Sequence, residues 1–256
     1  MRVCLLASGS KGNSLFIKSG ESRILIDAGL SGREIESRLA QIGEEASDLN
    51  AILVTHEHRD HVTAVGPLAR RYKLPVYVHS QTFAAMPSPG RFDQLTEFEV
   101  ASRFTFRDIE ISSFPITHDA SEPVGFILNT PEGRIGVATD LGIATRLVAD
   151  RLKGCRVLVL ESNHDEEMLR DGPYPWHLKQ RIRGNHGHLS NTAAGELLET
   201  LLWDGMEAVF LAHLSETNND PQLAHHVAHS VLGQQNFCAP QLVVGSQGRA
   251  SACFEL

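Results

Sequence analysis

Residues 51–61 read AILVTHEHRDH, an almost wholly apolar pentapeptide followed at once by three histidines and an aspartate within six positions. The apolar part is typical of a buried strand. If the backbone stays extended beyond it, His56 and His58 point to the same side and can share one metal ion. Asp60 and His61 follow where the chain turns toward a helix, and they can reach a second position nearby. Imidazole nitrogens with a carboxylate suit zinc, and also manganese or iron. The stretch therefore predicts a metal site at a strand end rather than a histidine-rich surface loop.

The bulk properties predict a globular protein with one domain spanning residues 1–256. Of these residues 42% are hydrophobic and 21% are charged, which is ordinary for such a domain. No apolar run approaches the roughly 18 to 20 residues of a membrane span. The start, MRVCLLASGSKGNS, resembles a first strand more than a signal peptide. We therefore expect a cytoplasmic location, no membrane partner and, for the four scattered cysteines, no structural disulfide.

Histidine content and net charge bear on the function. Thirteen histidines indicate metal chemistry, and the net charge of −8 argues against a protein that coats polyanions in general. A local basic groove remains compatible with that charge. The metal site and the bulk properties together predict a metal-dependent hydrolase.

Strand and helix signals alternate along the rest of the chain. Two predicted strands end at an acid: Arg23–Asp27, in RILIDAG, and Arg134–Thr139, which is followed by Asp140. The apolar spacing after the histidine cluster predicts one helix over His61–Tyr72, and a closing strand is predicted over Ala250–Phe254. Two blocks of strands, each followed by helices, favour sheets inside and helices outside. The predicted fold class is α/β with four layers, α/β/β/α.

The motifs outside the cluster identify a family. The chain resembles the metallo-β-lactamase superfamily, whose HxHxDH signature is matched at residues 56–61. Its other motifs occur in the same order along nearly the whole chain: Asp27 in LIDAG, His118 in PITHDA, Asp140 in GVATDLG and His213 in LAHLS.

This resemblance implies a fold and a ligand set. The fold would be an αββα sandwich with the site at one edge of the sheets. Two divalent metal ions, zinc foremost with manganese or iron as alternatives, would share a hydroxide as nucleophile. One ion would be held by His56, His58 and His118, and the other by Asp60, His61 and His213, with Asp140 bridging them. Asp60 would also orient the hydroxide, and Asp27 would anchor the cluster by hydrogen bonds without ligating metal.

Further segments narrow the reaction. Lactam-cleaving branches of the superfamily commonly carry cysteine where this chain has Asp140, whereas a bridging carboxylate is typical of phosphodiesterase branches. Five segments resemble the YycJ/WalJ-like subgroup: ASGSKGNS (7–14), ESNHD (161–165), YPWHLKQRI (174–182), GHLSN (187–191) and HLSETNNDP (213–221). The implied function is a nuclease, foremost a 5′-end-directed exonuclease acting on DNA, with RNA as the less favoured substrate.

Several residues are candidate substrate contacts, each with a plainer alternative. Ser10 and Asn13 lie in a glycine-rich turn whose amides can face a phosphate, or which is simply a hairpin turn. His188 and Ser190 can contact substrate phosphate, although serine there can equally cap the next helix. His164 follows a predicted strand and is a candidate substrate contact or proton donor, with helix capping as the alternative.

The most basic stretch of the chain adds a possible contact with nucleic acid. Lys179, Arg181 and Arg183 can position a nucleic-acid backbone near the metals, or they can form a solvated helix face. His225 and His229 have the i,i+4 spacing of a metal site, but no glutamate accompanies them as in HExxH. We interpret them as ordinary helix surface.

Two other functions remain open at this point. One is a thioester hydrolase of the glyoxalase II type. The other is a non-catalytic, metal-containing module that binds nucleic acid or regulates a partner. The oligomeric state is not determined by these patterns.

Overall fold

The computed structural model describes all of residues 1–256 and contains fourteen strands. In chain order they are β1 (Arg2–Ala7), β2 (Ser14–Ser19), β3 (Ser22–Ile26), β4 (Ala51–Leu53), β5 (Val76–His79), β6 (Leu95–Phe98), β7 (Arg103–Phe106), β8 (Ile109–Pro115), β9 (Val124–Thr130), β10 (Gly133–Ala138), β11 (Val157–Glu161), β12 (Ala208–Ala212), β13 (Gln241–Val244) and β14 (Phe254–Glu255). They form two seven-stranded sheets, ordered β14-β1-β2-β3-β4-β5-β6 and β13-β12-β11-β10-β9-β8-β7.

Nine α-helices connect the strands. They are α1 (Gly32–Gln41), α2 (Arg59–Val62), α3 (Val65–Tyr72), α4 (Ser80–Ala85), α5 (Arg146–Leu152), α6 (Glu166–Asp171), α7 (Trp176–Arg183), α8 (Asn191–Leu201) and α9 (Pro221–Gly233). None of them has the length and apolar character that a membrane span requires.

Three hydrophobic cores separate four layers, as the sequence predicts. In β1, Val3 and Leu5 belong to the core between the sheets, while Cys4 and Leu6 belong to the core beneath α1 and α3. A third core lies between the second sheet and helices α5, α8 and α9. Successive side chains of a strand point to opposite faces, so strands buried on both faces are continuously apolar. This explains why runs such as AILVT show no alternation.

Strand direction decides where the site lies. β3 to β6 are mutually parallel, and so are β10 to β13. β8 runs in the same direction as β10, because both pair antiparallel with β9. Loops at the carboxyl ends of parallel strands meet at one edge of a sheet, which is where α/β folds bind ligands.

Two predicted elements are wrong in extent. The single helix expected over His61–Tyr72 is divided into α2 and α3, because the Ala64 amide donates to the Ala28 carbonyl at 2.7 Å. The final strand is shorter than Ala250–Phe254 and shifted, because the Ser251 hydroxyl takes the amide proton of Leu5 in place of a ladder bond. Both deviations depend on contacts between residues far apart in sequence.

Candidate metal centre

Three candidate site residues at strand ends have an unusual backbone conformation. Asp27 follows β3, His213 follows β12, and Asp140 lies two residues beyond β10; their φ angles are 61°, 58° and 58°. Left-handed φ values are uncommon for residues other than glycine, and such strain tends to concentrate at functional sites. At each of these strand ends the chain turns sharply, and all three side chains are buried.

The first group of converging side chains is formed by His56, His58 and His118, whose ligand atoms lie within 4.8 Å of one another. His118 donates through Nδ1 to the Gly187 carbonyl at 3.1 Å, which leaves Nε2 as an acceptor 3.3 Å from Nδ1 of His58. His56 is fully buried, and its Nε2 has no hydrogen-bond partner. Three imidazole nitrogens therefore face a common point.

The second group is formed by Asp60, His61 and His213. His61 donates through Nδ1 to Asp27 at 2.7 Å, and His213 donates through Nδ1 to Glu161 at 2.8 Å. Their Nε2 atoms lie 3.5 Å and 3.7 Å from the same carboxylate oxygen of Asp60. An anchoring carboxylate behind each histidine fixes which nitrogen is presented, as metal-binding histidines require.

Asp140 lies between the two groups. One of its carboxylate oxygens is 3.2 Å from Nε2 of His61, and the other is 3.8 Å from Nε2 of His118. The side chain is almost fully buried, and Oδ2 has no hydrogen-bond partner. Leaving such a buried polar atom unsatisfied costs about 1–3 kcal/mol.

Divalent metal ions fit this donor set. The atoms left without partners, Nε2 of His56, Nε2 of His213 and Oδ2 of Asp140, are ligand atoms aimed into one cluster. Metal coordination would satisfy all three. The structure thus brings together all seven residues that the sequence indicates as ligands, and their role in coordination stays a prediction.

The two groups differ in the pKa values of their histidines. Burial, together with the neighbouring histidines, lowers the pKa of His56 well below its usual value, and burial also lowers the pKa of His118. Burial acts in the same direction on His61 and His213, but nearby carboxylates, Asp140 foremost, outweigh it. They raise the pKa of His61 well above its usual value and that of His213 to about 10. Without metal, His56 and His118 are therefore neutral near pH 7, whereas His61 and His213 are protonated.

The loop after β3 supports the histidine cluster from behind. The Ala28 amide donates to the His61 carbonyl at 2.8 Å, and the Asn13 amide donates to the Asp60 carbonyl at 2.7 Å. A Cβ atom at Gly29 would lie 1.6 Å from the Asp60 carbonyl oxygen, so only glycine fits there. The DAG sequence and the cluster are therefore packed together as one unit.

The candidate substrate contacts are distributed over two neighbouring cavities. A recess of about 350 Å³ exposes the cluster and is lined by Ser10 and His188. A second cavity of about 470 Å³ is lined by His164 and Ser190, and it shares His188 with the recess. Asn13 lines neither cavity, and its side-chain amide donates to the Gly9 carbonyl and to Asp60.

Comparison with known proteins identifies the family. The family model described as a β-lactamase superfamily domain matches residues 22–213, a span that contains the whole cluster. The chain belongs to the metallo-β-lactamase superfamily.

Curated relatives place the chain in the YycJ/WalJ-like subgroup of the metallo-β-lactamase superfamily. Exodeoxyribonuclease YycJ of Bacillus anthracis is 41% identical over 240 residues, covering 93% of this chain and 91% of the relative. Exodeoxyribonuclease WalJ of Streptococcus pneumoniae serotype 2 (strain D39 / NCTC 7466) is 40% identical over 238 residues, covering 91% and 88%. The predictions of this subgroup and of a metal-dependent hydrolase are confirmed.

Solved structures confirm the predicted metallo-β-lactamase fold. Zn²⁺-bound PqqB from Methylobacterium extorquens has a TM-score of 0.74 at 17% identity and covers 100% of both chains. The metallo-β-lactamase fold protein YhfI from Bacillus subtilis has a TM-score of 0.73 at 15% identity and covers 99% of both chains. At these identities the likeness concerns the fold alone.

One residue of this metallo-β-lactamase site was not singled out from the sequence. Glu161, fully buried at the end of β11, accepts hydrogen bonds from His213 and His188, each at 2.8 Å, and from the Leu189 amide at 3.1 Å. Its carboxylate accepts the Nδ1 proton of His213 and so leaves Nε2 facing the cluster, as the carboxylate of Asp27 does for His61. The sequence does contain a sign of this residue, because the strand sequence VLVLE ends in an acid, as the predicted strand RILID does.

Other predictions concern residues away from the metallo-β-lactamase site. His225 and His229 are exposed on α9, with ring centroids 5.7 Å apart, and belong to no cluster of potential ligands. All four cysteines are free thiols. Ser190 caps α8 by accepting from the Ala193 amide at 3.2 Å, so the capping alternative describes one of its contacts.

Replacing Glu161 by glutamine should weaken metal binding at the second group about 10- to 100-fold, the usual effect of losing an outer hydrogen-bond partner of a ligand. The amide cannot stabilise the donating Nδ1–H of His213 as a carboxylate does. Elemental analysis after dialysis against a competing chelator measures the effect. Glu199→Gln, an exposed change on α8, is the matched control. Equal metal content in both variants would contradict the anchoring role of Glu161.

Proposed function

We propose that this protein is a metal-dependent phosphodiesterase that degrades DNA from a 5′ end, with two divalent metal ions at the cluster. The observation that carries the proposal is the buried carboxylate of Asp140, which lies between two triads of potential ligands. Close relatives named exodeoxyribonucleases support DNA as the substrate. Zinc is the metal expected first, with manganese or iron as alternatives.

Each part of the cluster has a role in this proposal. One triad, His56, His58 and His118, would hold one ion, the triad Asp60, His61 and His213 would hold the other, and Asp140 would contribute a carboxylate to both. When bound, the ions lower the pKa of a water molecule and neutralise charge on the phosphoryl oxygens. Asp60 orients the attacking water, because its Oδ1 has no partner within the protein while Oδ2 faces the histidines. The water oxygen attacks phosphorus while Asp60 takes up the proton of the water, and the bond from phosphorus to the leaving oxygen breaks.

The leaving oxygen needs a proton, and the geometry favours His188 over His164 as its donor. His188 lines the recess with the cluster, is held through Nδ1 by Glu161, and has no protein partner at Nε2. His164 lines the neighbouring cavity, and burial lowers its pKa to about 4, so its ring is neutral near pH 7. A neutral ring suits a hydrogen-bonding contact with substrate, together with Ser190.

Four substrates test the proposal. Metal-loaded protein is incubated with single-stranded DNA, duplex DNA, RNA and a glutathione thioester, with each nucleic acid labelled at its 5′ or 3′ end. We expect immediate release of the 5′ label as a mononucleotide and gradual shortening of the 3′-labelled strand. Cleavage of the thioester alone would refute the nuclease proposal and support a hydrolase of the glyoxalase II type. No turnover of any substrate, with metal shown to be bound, would indicate the non-catalytic module.

A further inference from the structure

The segment that covers one side of the recess differs in charge from the rest of the chain. Residues 172–191, here called the acid-free segment, contain no aspartate or glutamate, in a chain with 31 acids and a net charge of −8. They contain Lys179, Arg181 and Arg183 together with two aromatic residues, Tyr174 and Trp176. Surfaces that bind single-stranded nucleic acid combine cations with aromatic side chains on which bases stack.

Helix α7, in the middle of this segment, has no buried residue. Leu178, Arg181 and Ile182 line the recess, as does Tyr174 just before the helix. Trp176 and Arg183 are seven positions apart, two helical turns, and therefore lie on the same outer face, about 10.5 Å apart along the axis. One side of α7 thus borders the cluster, and the other presents an indole and a guanidinium to solvent.

The indole of Trp176 has no role inside the protein. It is 66% exposed, more than any other large hydrophobic side chain of the chain, and its Nε1 donates to nothing. The other tryptophan, Trp203, is partly buried and donates to the Cys155 carbonyl at 2.8 Å. Large aromatic residues contribute most to stability when buried, and tryptophan is enriched at interfaces, so an indole left in water near cations is a candidate contact for a binding partner.

The cations of the segment are only partly neutralised. Arg181 is paired with Asp119, and Lys179 donates to the Arg170 carbonyl at 2.7 Å. Arg183 is exposed and has no carboxylate partner, and it borders the second cavity. A phosphate backbone that leaves the recess would therefore meet a free cation two helical turns along α7 from an exposed indole.

We propose that the outer face of α7 binds the unpaired strand of the substrate, with one base stacked on Trp176 and a phosphate on Arg183. The inference rests on the proposed function only in taking DNA as the substrate. A single strand is the occupant because its bases offer open faces for stacking, whereas paired bases in a duplex do not.

Binding is measured with metal-free protein, so that no DNA is cleaved, and a fluorescent single-stranded oligonucleotide. Trp176→Ala should raise Kd about tenfold, within the range for loss of one stacked base, and Trp176→Phe should restore most of the affinity. Arg183→Ala should lower the slope of log Kd against log salt by about 0.7, the value for one phosphate contact on a single strand. Phe237→Ala, which removes a 51% exposed aromatic residue elsewhere, is the control and should bind as the wild type does.

Two results would overturn this inference. One is an unchanged Kd in Trp176→Ala when its melting temperature shows a folded protein. The other is an equal loss of affinity for single-stranded and blunt duplex DNA, which would mean that no unpaired base is contacted. The proposed function fails separately. Suppose that wild-type protein binds the oligonucleotide but hydrolyses no DNA once it is loaded with metal. This result would refute the proposed catalysis and would not contradict the binding surface on α7.

Discussion

Asp140→Asn is expected to lower kcat/KM on DNA by more than about 100-fold. Losing a residue that only hydrogen-bonds to a metal ligand already costs about 10- to 100-fold, and Asp140 is expected to be a ligand itself. Asparagine keeps the size of the side chain but removes the charge that the surrounding histidines favour. Burial acts to raise the pKa of Asp140, but His213 and His61 outweigh it and keep that pKa below its usual value. The wild-type residue is thus an anion between the two groups of potential ligands, and the variant should retain fewer metal ions per chain by elemental analysis.

Asparagine also suits the backbone at position 140. The φ of 58° lies in the left-handed region, which asparagine and aspartate adopt more readily than other side chains. The substitution should therefore leave the fold intact, which circular dichroism can verify. Asp150→Asn, at an exposed carboxylate on α5, is the matched control. Full metal content and activity within about threefold of wild type would show that Asp140 does not bridge; the threefold limit reflects the spread of single-site effects.

Metal loading should occur in two steps that differ in their dependence on pH. His56 and His118 have lowered pKa values and are neutral near pH 7, so neither loses a proton when their triad accepts a metal ion. His61 and His213 have raised pKa values, so they are protonated at that pH and must each release a proton to coordinate. With about two protons displaced, the affinity of the second site should rise about 100-fold per pH unit near neutrality.

Calorimetry in two buffers of different ionisation enthalpy measures the protons released at each step. At pH 6 we expect about one ion per chain after dialysis, and at pH 8 about two, because deprotonation favours the second site. Asp140→Asn should reduce the difference between the steps, since Asp140 contributes to the raised pKa of both histidines. Two ions bound with equal affinity at pH 6, without proton release, would contradict this prediction.

Patterns within short windows predicted most of the fold. Apolar runs located the buried strands, and acids at strand ends located Asp27 and Asp140. The edge strands β6 and β7 were not predicted, because LTEF and RFTF are short and half-exposed. The division of the helix after the cluster depends on a hydrogen bond from Ala64 to Ala28, which local periodicity does not encode.

The grouping of the candidate ligands was easier to predict than the positions of the candidate substrate contacts. The residues of the cluster occur in recognisable motifs, and strand direction forces their loops to one edge. The position of His188 depends instead on how residues 184–188 pack. There, the Asn185 carbonyl lies so close to Gly142 that a Cβ atom at Gly142 would be 2.1 Å from it. Glu161 was not identified for a related reason, because its role depends on histidines that are distant in sequence.

The contact between Gly29 and the Asp60 carbonyl also limits how the site can be redesigned. A library that randomises the loop after β3 should lose metal binding at position 29 first, although the side chain of that residue would touch no ligand atom. Grafting HEHRDH onto another sheet would likewise fail unless the backing loop were transferred with it. The smallest transplantable unit comprises Asn13, the DAG turn and the histidine turn, three pieces of chain that must keep their mutual register.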